Sequence, residues 1–179
     1  MIYCLIPEYI EGTGDCCILY GTEGEEIQRK KINSSLKDLF NDKCLDMRTV
    51  KHKSSKLLGQ RNLIPLYLGR DEILIPVKVR KPRVHRDTGY GYVNFYAINN
   101  INEETILLKN NKEIFFCEGK RRIIKRIKMA RIIEEAFKSS LCREMALDYL
   151  SIPATKEDIS LILRQIEEIK RTMERMMLL

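Results

Sequence analysis

The hydrophobic pattern of this chain changes period once, near Lys120, and that change limits the folds open to it. Up to about residue 118, apolar residues come in short runs bounded by turn residues. Beyond Lys120 they recur every three or four positions. Short bounded runs suit strands, and the three-to-four spacing suits helices. Residues 1–6 and 16–20 are the first strand-like runs, and Gly21-Thr-Glu-Gly24 turns the second into a hairpin with 25–32. Ser34 or Ser35 caps a short helix through Phe40, with Leu36, Leu39 and Phe40 facing inward. Residues 44–60 are polar and weakly patterned, and read as irregular or as a poorly formed strand.

Strand signals return at 64–68 and 72–79, joined by Gly69-Arg70-Asp71. Residues 81–89 form a basic loop punctuated by Pro82 and Gly89. Residues 92–98, Tyr-Val-Asn-Phe-Tyr-Ala-Ile, are the clearest strand candidate, rich in β-formers. Residues 105–109 and 113–117 flank Asn110-Asn111-Lys112 as a further hairpin. Helical periodicity then holds from 120 to about 149. The expected class is α+β, a mainly antiparallel β-sheet domain followed by helices and a C-terminal coiled-coil-like helix.

The charge is unevenly placed. Of 32 Lys/Arg and 25 Asp/Glu in 179 residues, the segment 78–131 holds fourteen and five, a net of +9. The remainder holds eighteen and twenty, a net of −2. A solvated surface mixes signs, whereas a one-sign patch is the footprint of a polyanion. Two clusters free of acid build it. The first is Lys78-Val-Arg80-Lys81-Pro-Arg83-Val-His85-Arg86. The second runs from Lys120, Arg121 and Arg122 through Lys125, Arg126 and Lys128 to Arg131. At about 100° per residue, Ile123, Ile127, Ala130, Glu134 and Phe137 fall along one side of a helix. Arg121, Lys125 and Lys128 fall opposite, within an arc of about 60°. Either cluster alone fits a solvated face; together they favour a polyanion partner.

Other classes are disfavoured. Cys4, Cys16, Cys17, Cys44, Cys117 and Cys142 are scattered, and neither C-x₂-C nor H-x₃-H spacing occurs, so buried inert thiols are expected, with no metal and no cofactor. No apolar run approaches the roughly 20 residues of a membrane span, and the N-terminal segment lacks a basic n-region; a cytoplasmic protein without a membrane partner is the expectation. Only two His are present, and no phosphate loop or nucleophile elbow, so the chain does not read as an enzyme.

Near the C-terminus, Thr155 and Asp158 form a capping pair after Pro153. Ile159, Ile162, Ile166, Ile169, Met173 and Met176 then follow a 3-4-3-4-3 spacing, an a/d seam of nearly three heptads. An isolated helix of this length is marginal, so the seam needs a partner, and a second copy of the chain is the expected one. The chain thus divides into an α+β nucleic-acid-binding domain over 1–150, β-rich over 1–118 and helical over 120–150, and an oligomerisation helix over 155–179.

Two resemblances point the same way. Ile64-Pro65-Leu66, Ile73-Leu-Ile-Pro76 and Gly91-Tyr-Val-Asn94 resemble the competence transcription factor (ComK) family, loosely from Leu5-Ile-Pro-Glu8 to about Ala136. Val84-His85-Arg86-Asp87 ahead of Tyr92-Val-Asn94, Ile98 and the hairpin 105–117 is similar to LytTR-type DNA-binding domains. Both imply a transcription regulator that grips DNA with loops and strands, and the second implies DNA contacts by His85 and Arg86. The expected function is binding of double-stranded DNA, A/T-rich DNA included, with self-association. Arg80, Arg83 and Arg86 would enter a groove, and Arg121, Lys125 and Lys128 would hold phosphates, as would Lys78, Lys81, Lys120 and Arg122. The alternatives are a coiled-coil adaptor for an acidic protein, and an RNA or single-strand binder stacking bases on Tyr90, Tyr92, Phe95 and Tyr96.

Overall fold

A computed structural model describes residues 1–85, 87–151 and 156–177, with the side chains of 139–151, 157, 158, 172 and 175–177 outside the description. The chain separates into two compact units, Met1–Lys138 and Ser139–Leu179. The α+β class holds: an antiparallel sheet is followed by helices.

Strands β1 (Ile2–Ile10), β2 (Gly14–Gly21) and β3 (Gly24–Gln28) run as a meander. Helices α1 (Ile32–Asp42) and α2 (Met47–Leu58) follow, then strands β4 (Leu66–Gly69), β5 (Glu72–Lys78) and β6 (Tyr90–Asn94). These six strands form one antiparallel sheet in the order β3-β2-β1-β6-β5-β4. A second sheet, β7-β8-β9, comprises β7 (Ile98–Ile101), β8 (Thr105–Leu108) and β9 (Glu113–Phe115). Helix α3 (Lys120–Ser151) closes the first unit and continues into the second, which also contains α4 (Lys156–Met177).

The large sheet is buried on both faces. Cys4, Ile18, Ile73, Ile75, Val77 and Val93 pack with the second sheet and with Ile123 and Ala130 of α3. Leu5, Cys17, Leu66, Leu68 and Leu74 pack on Ile32, Leu36 and Phe40 of α1 and Val50 of α2. Strand β5 contributes to both, which is why its sequence is apolar at consecutive positions rather than alternating.

Three local expectations are corrected. Residues 44–60 contain a helix, not irregular chain or a strand. Asp46 caps α2 by accepting from the N–H of Thr49 at 2.8 Å, and Gly59 ends it in the left-handed region at φ 61°. The first helix starts before the serines: Lys31 is its N-cap without a side-chain bond, and Ser35 is buried inside it. The strand expected over 92–98 stops at Asn94. The Asn94 carboxamide is fully buried; it donates to the carbonyls of Ile2 (2.8 Å) and Asp71 (3.1 Å) and accepts from Ile73 and Tyr96 N–H. Accepting from Tyr96 sets a 3₁₀ turn over Phe95–Ala97, which carries the chain from one sheet to the other. The Thr155–Asp158 capping pair lies outside the described residues and side chains.

The cysteines divide. Cys4, Cys16 and Cys17 are buried, but Cys44 and Cys117 are exposed, contrary to six inert buried thiols, and the Cys142 side chain is outside the description. Cys44 follows α1 at a positive φ, and Cys117 lies between β9 and α3, so neither shares a core-facing register. Among the described residues, no helix is long and apolar enough to cross a membrane.

Candidate nucleic-acid interface

The basic loop leaves β5 at Lys78 and returns at β6. Its neck is closed by the Gly89 carbonyl, which accepts from the N–H of both Val79 (2.9 Å) and Arg80 (3.3 Å). A Cβ at Gly89 would stand 2.5 Å from the Arg80 carbonyl oxygen, so the neck admits only glycine. Tyr9, from the far half of β1, props the loop open. Its hydroxyl accepts from Arg83 N–H (2.9 Å) and donates to Asp87 (3.0 Å). Lys31 binds the other Asp87 oxygen at 2.8 Å. The Lys31 ammonium first, and the Tyr9 hydroxyl after it, hold the Asp87 carboxyl below the usual carboxylate range.

These contacts sort the loop cations. Arg80 is turned inward: it pairs with Asp15, donates from Nε to the Thr88 carbonyl at 3.1 Å, and lies 4.0 Å from the Tyr9 ring centroid. These contacts fix its side chain within the loop. Lys81, Arg83 and His85 are exposed, Lys78 is half-buried, and Arg86 lies outside the described residues.

The second cluster opens α3. Arg121, Arg122, Lys125 and Lys128 are all exposed, whereas Ile123, Met129, Ala130 and Ile133 are buried. The arc expected from helical spacing therefore faces away from the core. With a rise of about 1.5 Å per residue, its three cations span roughly 10.5 Å along the axis. Lys120 is paired with Glu103 at 2.9 Å.

Arg126 departs from its cluster. It is only 6% exposed and makes two bonds to Glu118, from Nη1 and Nη2, plus one from Nη1 to the Pro76 carbonyl at 2.8 Å. Glu118 Oε1 also accepts from Lys78 N–H at 2.8 Å, and Cys117 N–H donates to the Lys78 carbonyl. One carboxylate thus ties the start of the loop to the first turns of the basic helix, and both cationic clusters spring from the same end of β5. Neither Glu118 nor Asp15 carried a sequence signal, because each meets its arginine only through tertiary folding.

Comparison with protein-family models, with curated proteins and with solved structures finds no match to this chain. The likeness to two DNA-binding families stands on the quoted segments alone.

Four of the fourteen cations in 78–131 are ion-paired: Arg80, Lys112, Lys120 and Arg126. Among the described residues the others have no carboxylate within ion-pair distance, so the positive excess survives folding. The aromatics are arranged differently from a stacking platform. Tyr90, Tyr92, Phe95 and Tyr96 are all half-buried, and Tyr96 donates to Glu134 at 2.7 Å. Among the described residues, Phe115 is the aromatic left open, at 67% exposure. In α4, Ile159, Ile162, Ile166, Ile169 and Met173 are each at least half exposed, while the Met176 side chain is outside the description.

Proposed function

We propose that the protein binds duplex DNA as a transcription regulator, using the loop after β5 and the outer face of α3, and that copies join through α4. The observation that carries this reading is the trio Arg121, Lys125 and Lys128, exposed on one side of a helix without a carboxylate partner among the described residues. A one-sided row of cations on a rigid element is costly through self-repulsion and is relieved by phosphates. Lys81, Arg83 and His85 extend the surface from the same end of β5. The phosphate contacts supply affinity and orientation, and Arg83 is the loop residue able to read a groove. The uncovered Ile/Met seam of α4 supports self-association, which would multiply affinity by raising effective concentration.

A salt titration of binding to a labelled duplex tests this, with the Arg121→Gln/Lys125→Gln/Lys128→Gln protein beside the parent. Each lost phosphate contact flattens the log–log salt slope by about 0.9. The triple variant should therefore lower it by about 2.7 and bind all sequences more weakly. An unchanged slope would remove the α3 face from the interface. Displacement by an acidic protein as readily as by DNA would favour an adaptor.

A further inference from the structure

The loop also walls a groove of ≈ 470 Å³, bounded by the far half of β1, by Val79–Arg83 and by β9. Its size is that of a small-ligand site. Strand β1 pairs with β6 only at Cys4 and Leu5, so its continuation through Tyr9 leaves this side of the sheet open. The floor is apolar, formed by Ile6, Tyr20, Val79 and Ile114. Above it the charge is crowded. The guanidinium carbons of Arg80 and Arg83 lie 4.0 Å and 4.8 Å from the centroid of one tyrosine, Tyr9, with Asp15 the one carboxylate paired with either. Arg80 Nη1 is buried and has no hydrogen-bond acceptor. Lys81 and Lys112 line the same groove. Asp15 Oδ2, in the ion pair with Arg80, is also buried without a partner, so that pair is closed to a ligand and the accessible charge is that of Lys81 and Arg83, beside which an anion lowers the free energy. Phe115 stands at the lip on β9, the outer strand of its sheet, and presents an exposed flat apolar face.

We propose that this groove binds an unpaired nucleotide of a nucleic-acid strand, with the phosphodiester on Lys81 and Arg83 and the base stacked on Phe115. Glu8 and Glu113 also line the groove. Two carboxylates disfavour a dense polyanion, but they suit one phosphate joined to a base whose exocyclic amino groups need acceptors. Stacking on one aromatic side chain tolerates any base, so the site selects for unpaired chain rather than for sequence. In naming nucleic acid as the source of the nucleotide, the inference rests on the reading given above.

The test is fluorescence anisotropy of a labelled oligodeoxycytidylate, whose base carries an exocyclic amino group, and of a blunt duplex, using the full chain and its Phe115→Ala and Arg83→Gln variants. Free deoxycytidine monophosphate, inorganic phosphate and polyglutamate serve as competitors. Phe115 is exposed on an edge strand, and circular dichroism checks that its replacement leaves the fold intact. Phe115→Ala should weaken strand binding about tenfold or more and leave duplex binding within about twofold. Arg83→Gln should weaken strand binding, and inorganic phosphate should compete far less well than the nucleotide. Strand binding that is absent, or indifferent to Phe115, overturns the inference, as does polyglutamate competing as well as deoxycytidylate. If duplex binding depends on Arg121, Lys125 and Lys128 while strands do not bind, the groove inference fails alone. If strand binding needs Phe115 while the α3 variant binds duplex normally, the α3 reading fails alone.

Discussion

Replacing Glu118 by alanine strands a buried guanidinium. The Arg126 side chain is 7% exposed and the Glu118 side chain 1%, so neither charge has water to fall back on. Removing one partner of such a pair costs about 3–5 kcal/mol, because the remaining charge stays buried without compensation. That is a large share of the ~5–15 kcal/mol that stabilises a typical domain. Arg126→Met should cost about as much, since it leaves the carboxylate with only Lys78 N–H as a charge-stabilising donor. The double variant Glu118→Leu/Arg126→Met buries no charge. Its remaining penalties are the orphaned Lys78 N–H and the orphaned Pro76 carbonyl, about 1–3 kcal/mol each. The double variant should therefore cost far less than the sum of the two single variants, with a coupling of several kcal/mol. Urea unfolding followed by circular dichroism gives the four free energies of the cycle. A double-variant cost equal to the sum of the singles would refute the reasoning, and so would a Glu118→Ala cost below about 1 kcal/mol.

Other outcomes follow from the same geometry. Arg80→Ala leaves the largely buried Asp15 carboxylate unpaired and should lower stability by on the order of 3 kcal/mol, visible as a lower Tm, with little change in the salt slope of duplex binding. Ile162→Lys should abolish self-association in analytical ultracentrifugation. With Ile at both a and d positions the parent should form trimers or tetramers, and Ile162→Leu/Ile169→Leu should shift it towards dimers; a monomeric parent removes the self-association reading. Iodoacetamide should label exposed Cys44 and Cys117 in the native protein and spare Cys4, whose thiol is pushed up to about 12 by burial, so that little thiolate exists at neutral pH. Peptide mapping that finds Cys4 labelled as fast as Cys117 would contradict that burial.

The fold was legible wherever an element declares itself locally. The β1–β2–β3 meander, the β4–β5 hairpin and α3 each carry their periodicity and their turn residues in one stretch of chain. Helix α2 was not legible by hydrophobicity, because the two positions it buries are Val50 and Ser54, and one apolar residue makes no stripe. Its signals were at its ends, in Asp46 with Thr49 and in Gly59. The end of β6 had one weak local signal, Asn94 placed to accept from the N–H of Tyr96, two residues on. The strand end also depends on Asn94 reaching the carbonyl of Ile2, 92 residues earlier in the chain.

The site was legible by the same criterion, and its errors share one cause. Helical spacing correctly separated Arg121, Lys125 and Lys128 from the core, because orientation on a helix is a local property. No local spacing separates Arg80 from Arg83 in the loop, because what distinguishes them is a carboxylate supplied by folding, as is the partner of Arg126 on the helix. Asp15 lies 65 residues before Arg80. Glu118 lies only eight residues from Arg126, but ahead of the helix and beside β5. Net charge counted along the chain therefore overstates the free charge at individual positions while predicting the sign of the surface correctly. The inward arginines still serve the outward ones: Arg80 fixes the loop on Tyr9 and Asp15, and Arg126 fixes α3 on β5. Lys81, Arg83 and the α3 cations thus project from a backbone already fixed by folding, and under the proposed function only their side chains would remain to be ordered on DNA.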